Sequence, residues 1–229
     1  TTFKLEYPYR NGLWGSFAYT HSAAYDLLSA GSVASGSWTG ARSVNGNNDL
    51  NLSLSNNNTP HRYVGIVGYK IDYGTKYGGA TSINIGYIGE QASPFSYSYG
   101  GDLNGDRVNG NDLLFVPLKA TDLRFSPISQ NLGGSSIVLY TEAQQQEAFE
   151  KYIEQDPYLS KHRGQYVERN SNVLPMLHKI DLSVTQDFYL NIGGKKNSFQ
   201  FRADILNFTN LLNRNWGISQ RATATNILA

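Results

Sequence analysis

The chain has 229 residues, with 19 Lys and Arg against 18 Asp and Glu, a formal net charge of +1 and no Cys. This near-balance leaves no electrostatic basis for a nucleic-acid partner, and the missing thiols exclude disulfides, thiolate catalysis and Cys-ligated metals. Mean hydropathy is −0.41, and no stretch approaches eighteen uninterrupted apolar residues, which excludes a membrane-spanning helix but not membrane strands, whose two faces average away.

The 23 Gly, 16 Tyr and 10 Phe make an aromatic, turn-rich β composition. Thr1-Thr2-Phe3-Lys4-Leu5 has no basic region, apolar stretch and small-residue cleavage site, so no signal peptide is expected in it. Phe3 to Tyr9 and Leu13 to Leu27 read as strands joined by Arg10-Asn11-Gly12, since Asn-Gly between alternating runs signals a hairpin. From about 28 to 60 the chain is rich in Gly, Ser and Asn and reads as a long loop, with a short strand at Leu50 to Leu54. His61 to Tyr73 alternates again, with Tyr63, Val67, Tyr69 and Ile71 opposite Arg62, Lys70 and Asp72. A short connection, Gly74 to Gly79, leads to a strand predicted over Ala80 to Tyr99.

A second long excursion covers about 100 to 175. Within it Thr141 to Gln155 predicts a helix: Thr141 and Gln144 form a capping box, Phe149 and Ile153 are an i, i+4 pair, and Asp156-Pro157 stops it. Leu177 to Leu190 then switches chemistry at every step, with Ile180, Leu182, Val184 and Phe188 on one face and Lys179, Asp181 and Asp187 on the other. That run is well past an ordinary soluble strand and past the 9 to 11 residues a tilted membrane strand needs. A turn at Asn191 to Asn197 precedes Ser198 to Phe208, where Phe199, Phe201 and Ile205 oppose Arg202 and Asp204.

The connections alternate tight, long, short, very long, short. That is the layout of an outer-membrane barrel, with compact turns at one end and extended surface loops at the other. The expected fold is therefore all-β, part of a large antiparallel transmembrane β-barrel, with Tyr63, Val67, Tyr69, Ile71, Ile180, Leu182, Val184, Phe188, Phe199, Phe201 and Ile205 facing lipid. Arg62, Lys70, Asp72, Lys179, Asp181, Asp187, Arg202 and Asp204 would face the lumen, as a substrate path or as a salt-bridged wall around a plug. A soluble secreted β-sandwich with a binding face has the same alternation and is the alternative fold.

Several motifs in order carry a resemblance. They are Asp102-Leu103-Asn104-Gly105-Asp106 before Gly110-Asn111-Asp112-Leu113-Leu114-Phe115-Val116-Pro117, then Asp156-Pro157-Tyr158-Leu159, His162-Arg163-Gly164, the run His178 to Phe188, and Phe201-Arg202-Ala203-Asp204-Ile205-Leu206-Asn207-Phe208. The chain resembles the C-terminal barrel region of Oar-like TonB-dependent outer-membrane receptors, most strongly from Tyr99 to Trp216. The resemblance implies a barrel of about twenty-two strands, a Gram-negative outer membrane, an N-terminal plug and a TonB complex as partners, and residues 1–229 as a C-terminal portion of a longer whole. A surface protein whose loops bind a lipoprotein or another extracellular ligand without transport is the alternative function.

Asp102, Asn104, Asp106 and Asp112 are the candidate metal ligands. Oxygens at alternate positions of a turn suit Ca²⁺, although Arg107 stands where a calcium loop has Gly and Asp112 falls one position early. The competing reading is a set of Asx turns organising the loop. Trp38, Phe95, Tyr97 and Tyr99 read as aromatic loop tips that grip a ligand or anchor at an interface. His21, His61, His162 and His178 are scattered, and Gly133-Gly134-Ser135-Ser136 is no nucleophile elbow. The chain is not expected to be an enzyme.

Overall fold

A computed structural model of the chain describes residues 1–74, 78–133, 135–222 and 225–228. These form two compact units, one made of Thr1–Ala24, Asn57–Ser93 and Val173–Ala222, the other of Tyr25–Asn56, Pro94–Asn172 and Thr223–Ala229.

The first unit is a six-stranded sheet of Thr2–Arg10, Leu13–His21, His61–Asp72, Gly79–Glu90, Leu177–Ile192 and Lys195–Ile205. Each strand pairs antiparallel with its neighbours in chain order. The third and fourth strands have 12 residues each and the fifth has 16, lengths that an alternating two-faced sheet needs to span a bilayer at a tilt. Asn11 and Gly12 take φ of 51° and 87°, the pair of positive angles that a two-residue hairpin turn matched to strand twist demands. Gly193 and Gly194, at 59° and 75°, make the equivalent turn between the last two strands. The register slips by one between Tyr7 and Arg10, a bulge in which Pro8, lacking an N–H, is tolerated.

Several boundaries differ from expectation. The second strand ends at His21 rather than Leu27, because the Ser22 N–H turns to the Pro60 carbonyl and the Ala24 N–H to Asn58 Oδ1. The fourth ends at Glu90 rather than Tyr99, and only Pro94–Phe95 and Ser98–Tyr99 are extended beyond it. The Asn191 to Asn197 turn contracts to its two glycines, and the last strand ends at Ile205. Residues 75–77, in the predicted Gly74 to Gly79 connection, and 134, in the Gly133 to Ser136 run, lie outside the described residues.

The second unit has a core of its own. Leu114, Val116, Ile153, Leu159 and Val167 are essentially inaccessible, with Tyr97, Leu113, Ala120 and Phe149 around them. The helix Glu142–Gln155 supplies Phe149 and Ile153 from one face. It starts at Thr141, whose side chain accepts from the Gln144 N–H while Gln144 reaches back to the Thr141 N–H. The hairpin Ile128–Leu132 with Ser135–Tyr140 and the short helices Ala34–Thr39 and Phe208–Leu212, the last in the first unit, were not anticipated. The strand expected at Leu50 to Leu54 is reduced to Ser53–Leu54, paired with Tyr25–Asp26.

Candidate functional site

Cross-strand register gathers the sheet's side chains into two opposed faces, because directly paired residues point the same way. One row runs Leu5, Phe17, Gly65, Tyr87, Ile180, and the next Tyr7, Gly15, Val67, Ile85, Leu182, Ile205. Two further rows are Leu13, Tyr69, Ile83, Val184, Ala203 and Ile71, Thr81, Gln186, Phe201, followed by Phe188 opposite Phe199. The expected lipid-facing residues, Tyr63 included, therefore share one continuous face. It is open: Phe3 is 62% exposed, Val67 45% and Phe201 61%. Gly15 and Gly65 leave a shallow groove of about 460 Å³ in it, walled by Leu5, Tyr7, Phe17, Val67, Ile85 and Tyr87.

The opposite face carries Arg62, Lys70, Asp72, Lys179, Asp181, Asp187, Arg202 and Asp204, with Ser, Thr and Asn between them. The expected salt-bridged wall is sparse. Arg62 approaches Glu90 at 3.9 Å and Arg202 lies 2.9 Å from Asp204 on its own strand, while Lys4 pairs with Glu6. Among the described residues Lys70 and Lys179 form no ion pair, Asp181 accepts the Asn207 N–H and Asp187 accepts from Gln200. Cross-strand partners of these charges are mostly small or neutral, such as Lys70 opposite Ser82 and Lys179 opposite Ile88. Trp14 lies against Gly68 on this face, filling the space a Cβ would take.

Tyr63 near the end of its strand fits an aromatic girdle, and the structure adds to it, at the long-loop end of the apolar face, histidines that sequence spacing did not bring together. Tyr19 and Tyr63 stack at 4.8 Å, the His21 and His61 rings lie tilted at 5.1 Å, and Tyr19 Oη lies 2.8 Å from His61 Nδ1. Tyr87 leans over Gly89 to place its hydroxyl 2.8 Å from His178 Nδ1. Three histidines scattered in the chain thus meet one belt of amphipathic aromatics, the composition that settles where lipid headgroups meet water. The signal lay in register: each is at the loop-proximal end of its strand.

In the second unit, Phe95 and Tyr97 are not loop tips. Tyr97 is buried, edge-on to Phe95 and Tyr152, with its hydroxyl 2.5 Å from Asp156 Oδ2. Burial, with Asp156 and Tyr152 alongside, pushes its phenol far up. Trp38 remains 46% exposed. Arg169, 9% exposed, donates at 2.7 Å to Asp26 Oδ1; burial pushes that carboxyl up, and hydrogen bonds from Ser29, Ser55 and Arg169 outweigh it and hold it low.

The loop 102–112 is knit by its own carboxylates. Asp102 accepts from the N–H groups of Gly105, Asp106 and Arg107, and Asn104 Oδ1 from that of Asp106. Asp106 accepts from the Val108 N–H and Asn111 Nδ2, and Asp112 Oδ2 from the Leu103 and Asn104 N–H groups. Among the described residues no three Asp, Glu or His side chains converge as a metal-binding group.

A family model described as an outer membrane beta barrel domain matches residues 1–226. The chain belongs to that family. No curated protein and no solved structure matches it. Membership places this outer membrane barrel domain in the outer membrane of a Gram-negative bacterium, where a sheet with one apolar and one polar face has both of its solvents.

Proposed function

We propose that this barrel domain is a C-terminal portion of the wall and surface loops of a TonB-dependent receptor that passes a large solute across the outer membrane. The observation that carries the reading is the continuous, mainly apolar face across six antiparallel strands. On it Tyr63, Val67, Tyr69, Ile71, Ile180, Leu182, Val184, Phe188, Phe199, Phe201 and Ile205 meet lipid, and the charged face lines the lumen.

The first and sixth strands each have a free edge in this sheet. Backbone groups left unpaired in hydrocarbon cost several kcal/mol each, so further strands close the barrel, about twenty-two in all by the resemblance. In that arrangement the long loops engage the solute, and a plug, pulled by the TonB complex, opens the path. The chain's own residues supply wall and loops and no chemistry of bond breaking.

A second reading, a surface protein whose loops hold a lipoprotein or other extracellular partner without transport, draws on the self-contained core of the loop unit. The two separate on the complete polypeptide in its membrane. Transport requires a plug inside the closed barrel, capture of the periplasmic domain of TonB and uptake that stops when the coupling is severed. A closed barrel lacking plug and capture refutes transport and leaves surface binding.

A further inference from the structure

The loop between 102 and 112 carries three carboxylates, Asp102, Asp106 and Asp112, and none of them takes part in an ion pair among the described residues. On its own that is an Asx-turn loop. A second observation sets it apart. Asp112 is 1% exposed, and while its Oδ2 is satisfied by two backbone N–H groups, its Oδ1 is buried without any partner.

Two more buried oxygens, on its chain neighbour and on its bridge partner, are also orphaned. Asn111, 3% exposed, donates through Nδ2 to Asp106 and Asn47 but leaves Oδ1 bare. Ser43, 4% exposed, is paired with Asp112 by an isolated parallel bridge, its N–H on the Asn111 carbonyl and its carbonyl on the Leu113 N–H, and its Oγ has no partner. Asp112 lines a cavity of about 350 Å³ with Asn45, Asn104 and Leu103.

Orphaned buried polar atoms are rare in native structures and call for a missing partner. A buried carboxylate with no counter-charge is the most unfavourable of them. The three orphaned oxygens are hard, the donor type of Ca²⁺; Asn104 Nδ2 is orphaned as well, its Oδ1 being held by the Asp106 N–H. We propose that the loop unit binds a calcium ion, with Asp112 Oδ1 as the charged ligand, Asn111 Oδ1 and Ser43 Oγ as neutral ones, and Asp102 and Asp106 as nearby negative charge. The flanking backbone is already fixed: Arg107 holds φ at 69° and Gly105 at 78°, and the turn hydrogen bonds leave Asp112 to be neutralised. With a single inner carboxylate the affinity falls in the class of extracellular modules, half-saturation being on the order of 0.1–1 mM.

The inference is independent of transport, because it concerns the loop unit alone. Its test uses the complete barrel polypeptide in detergent micelles, stripped with chelator and titrated with CaCl₂ or MgCl₂, with backbone hydrogen exchange of segments 43–47 and 99–116 as the readout. Calcium at a few millimolar slows exchange there at least tenfold, magnesium at the same concentration does not, and terbium luminescence sensitised by the tyrosines is displaced by calcium. Asp112→Asn abolishes the calcium effect while leaving exchange in the calcium-free loop no faster than wild type, since it removes an uncompensated charge and keeps the acceptor for Leu103. Ser43→Ala raises half-saturation about threefold or more. No protection at 10 mM calcium, equal protection by magnesium, or an undiminished response in Asp112→Asn overturns the proposal.

Discussion

The assignment of lipid and water to the two faces is tested most sharply at Val67 and its neighbour Ile66. Val67 is six positions into the twelve-residue strand His61–Asp72. At about 3.4 Å per residue and a tilt near 40°, it sits roughly 15 Å in height from the strand's start, close to the middle of an apolar band about 25 Å tall. Its row is Tyr7, Gly15, Ile85, Leu182 and Ile205, so no polar side chain is within cross-strand reach to receive a charge. Val67→Arg should therefore lose about 2–4 kcal/mol of folding free energy in vesicles, roughly a 30- to 1,000-fold shift in the equilibrium. Ile66→Arg, one residue away with Ser16 and Gly86 as its partners, should lie within about 0.5 kcal/mol of wild type. The assay is urea unfolding of the complete barrel reversibly folded into phospholipid vesicles, read by intrinsic fluorescence. Equal losses at the two positions, or the larger loss at Ile66, refute the assignment.

On the polar face, Gly68→Ala should destabilise the barrel by about 1–3 kcal/mol through overpacking, because its Cβ would run into Trp14 Nε1 and Asn84 Oδ1; a displaced Trp14 emission maximum checks it. Thr141→Ala removes the acceptor for the Gln144 N–H and should cost the loop unit about 1 kcal/mol, seen as faster limited proteolysis near the helix start. Asp26 and Glu150 are both held below their ordinary range, Glu150 by the Arg163 guanidinium and the Ala120 N–H. Their stabilisation is therefore complete above the usual carboxylate range and lost as pH falls through their lowered values. Loop-unit stability should hold from pH 7 to about pH 4 and fall below that, with Asp26→Asn flattening the acid limb. Arg169→Ala, which leaves Asp26 partly buried without its cation, should cost about 3 kcal/mol at pH 7. Circular dichroism melts across pH check both.

The six strands, the tight turns and the capped helix were readable because each is written locally. Alternation from Leu177 onward, Asn11-Gly12, and Thr141 with Gln144 are contacts between residues close in the chain. The boundary errors came where alternation outlasted pairing: Ser22 to Leu27 continues the pattern of the second strand, yet the N–H groups of Ser22 and Ala24 go to Pro60 and Asn58. Phe95 and Tyr97 looked like loop tips because the burial of Tyr97, on which Phe95 packs, depends on Tyr152, Asp156 and Leu114, far along the sequence. The hairpin at 128–140 gave no alternating signal, since Ile137, Val138, Leu139 and Tyr140 form one apolar run and all stay about half exposed. The histidine belt and the orphaned oxygens beside Asp112 are likewise products of pairing between distant segments. The Asp102, Asn104, Asp106 and Asp112 spacing drew attention to the loop, while Ser43 and Asn111 could not have been picked out.

Leu177 pairs with Glu90, so everything from 91 to 176 leaves and rejoins the sheet at adjacent positions. Closing so long an unstructured loop carries an entropic penalty that grows as the logarithm of its length. The core residues Tyr97, Leu113, Leu114, Val116, Phe149, Ile153, Leu159 and Val167 all fall inside this one segment. The insertion can therefore collapse on itself before its flanking strands zip together, so that a compacted segment rather than a floppy tether is closed. Exchanging that segment would mean carrying Tyr25–Asn56 along with it, because Leu113, Arg169 and Asn170 bond to Ser43, Asp26 and Leu54.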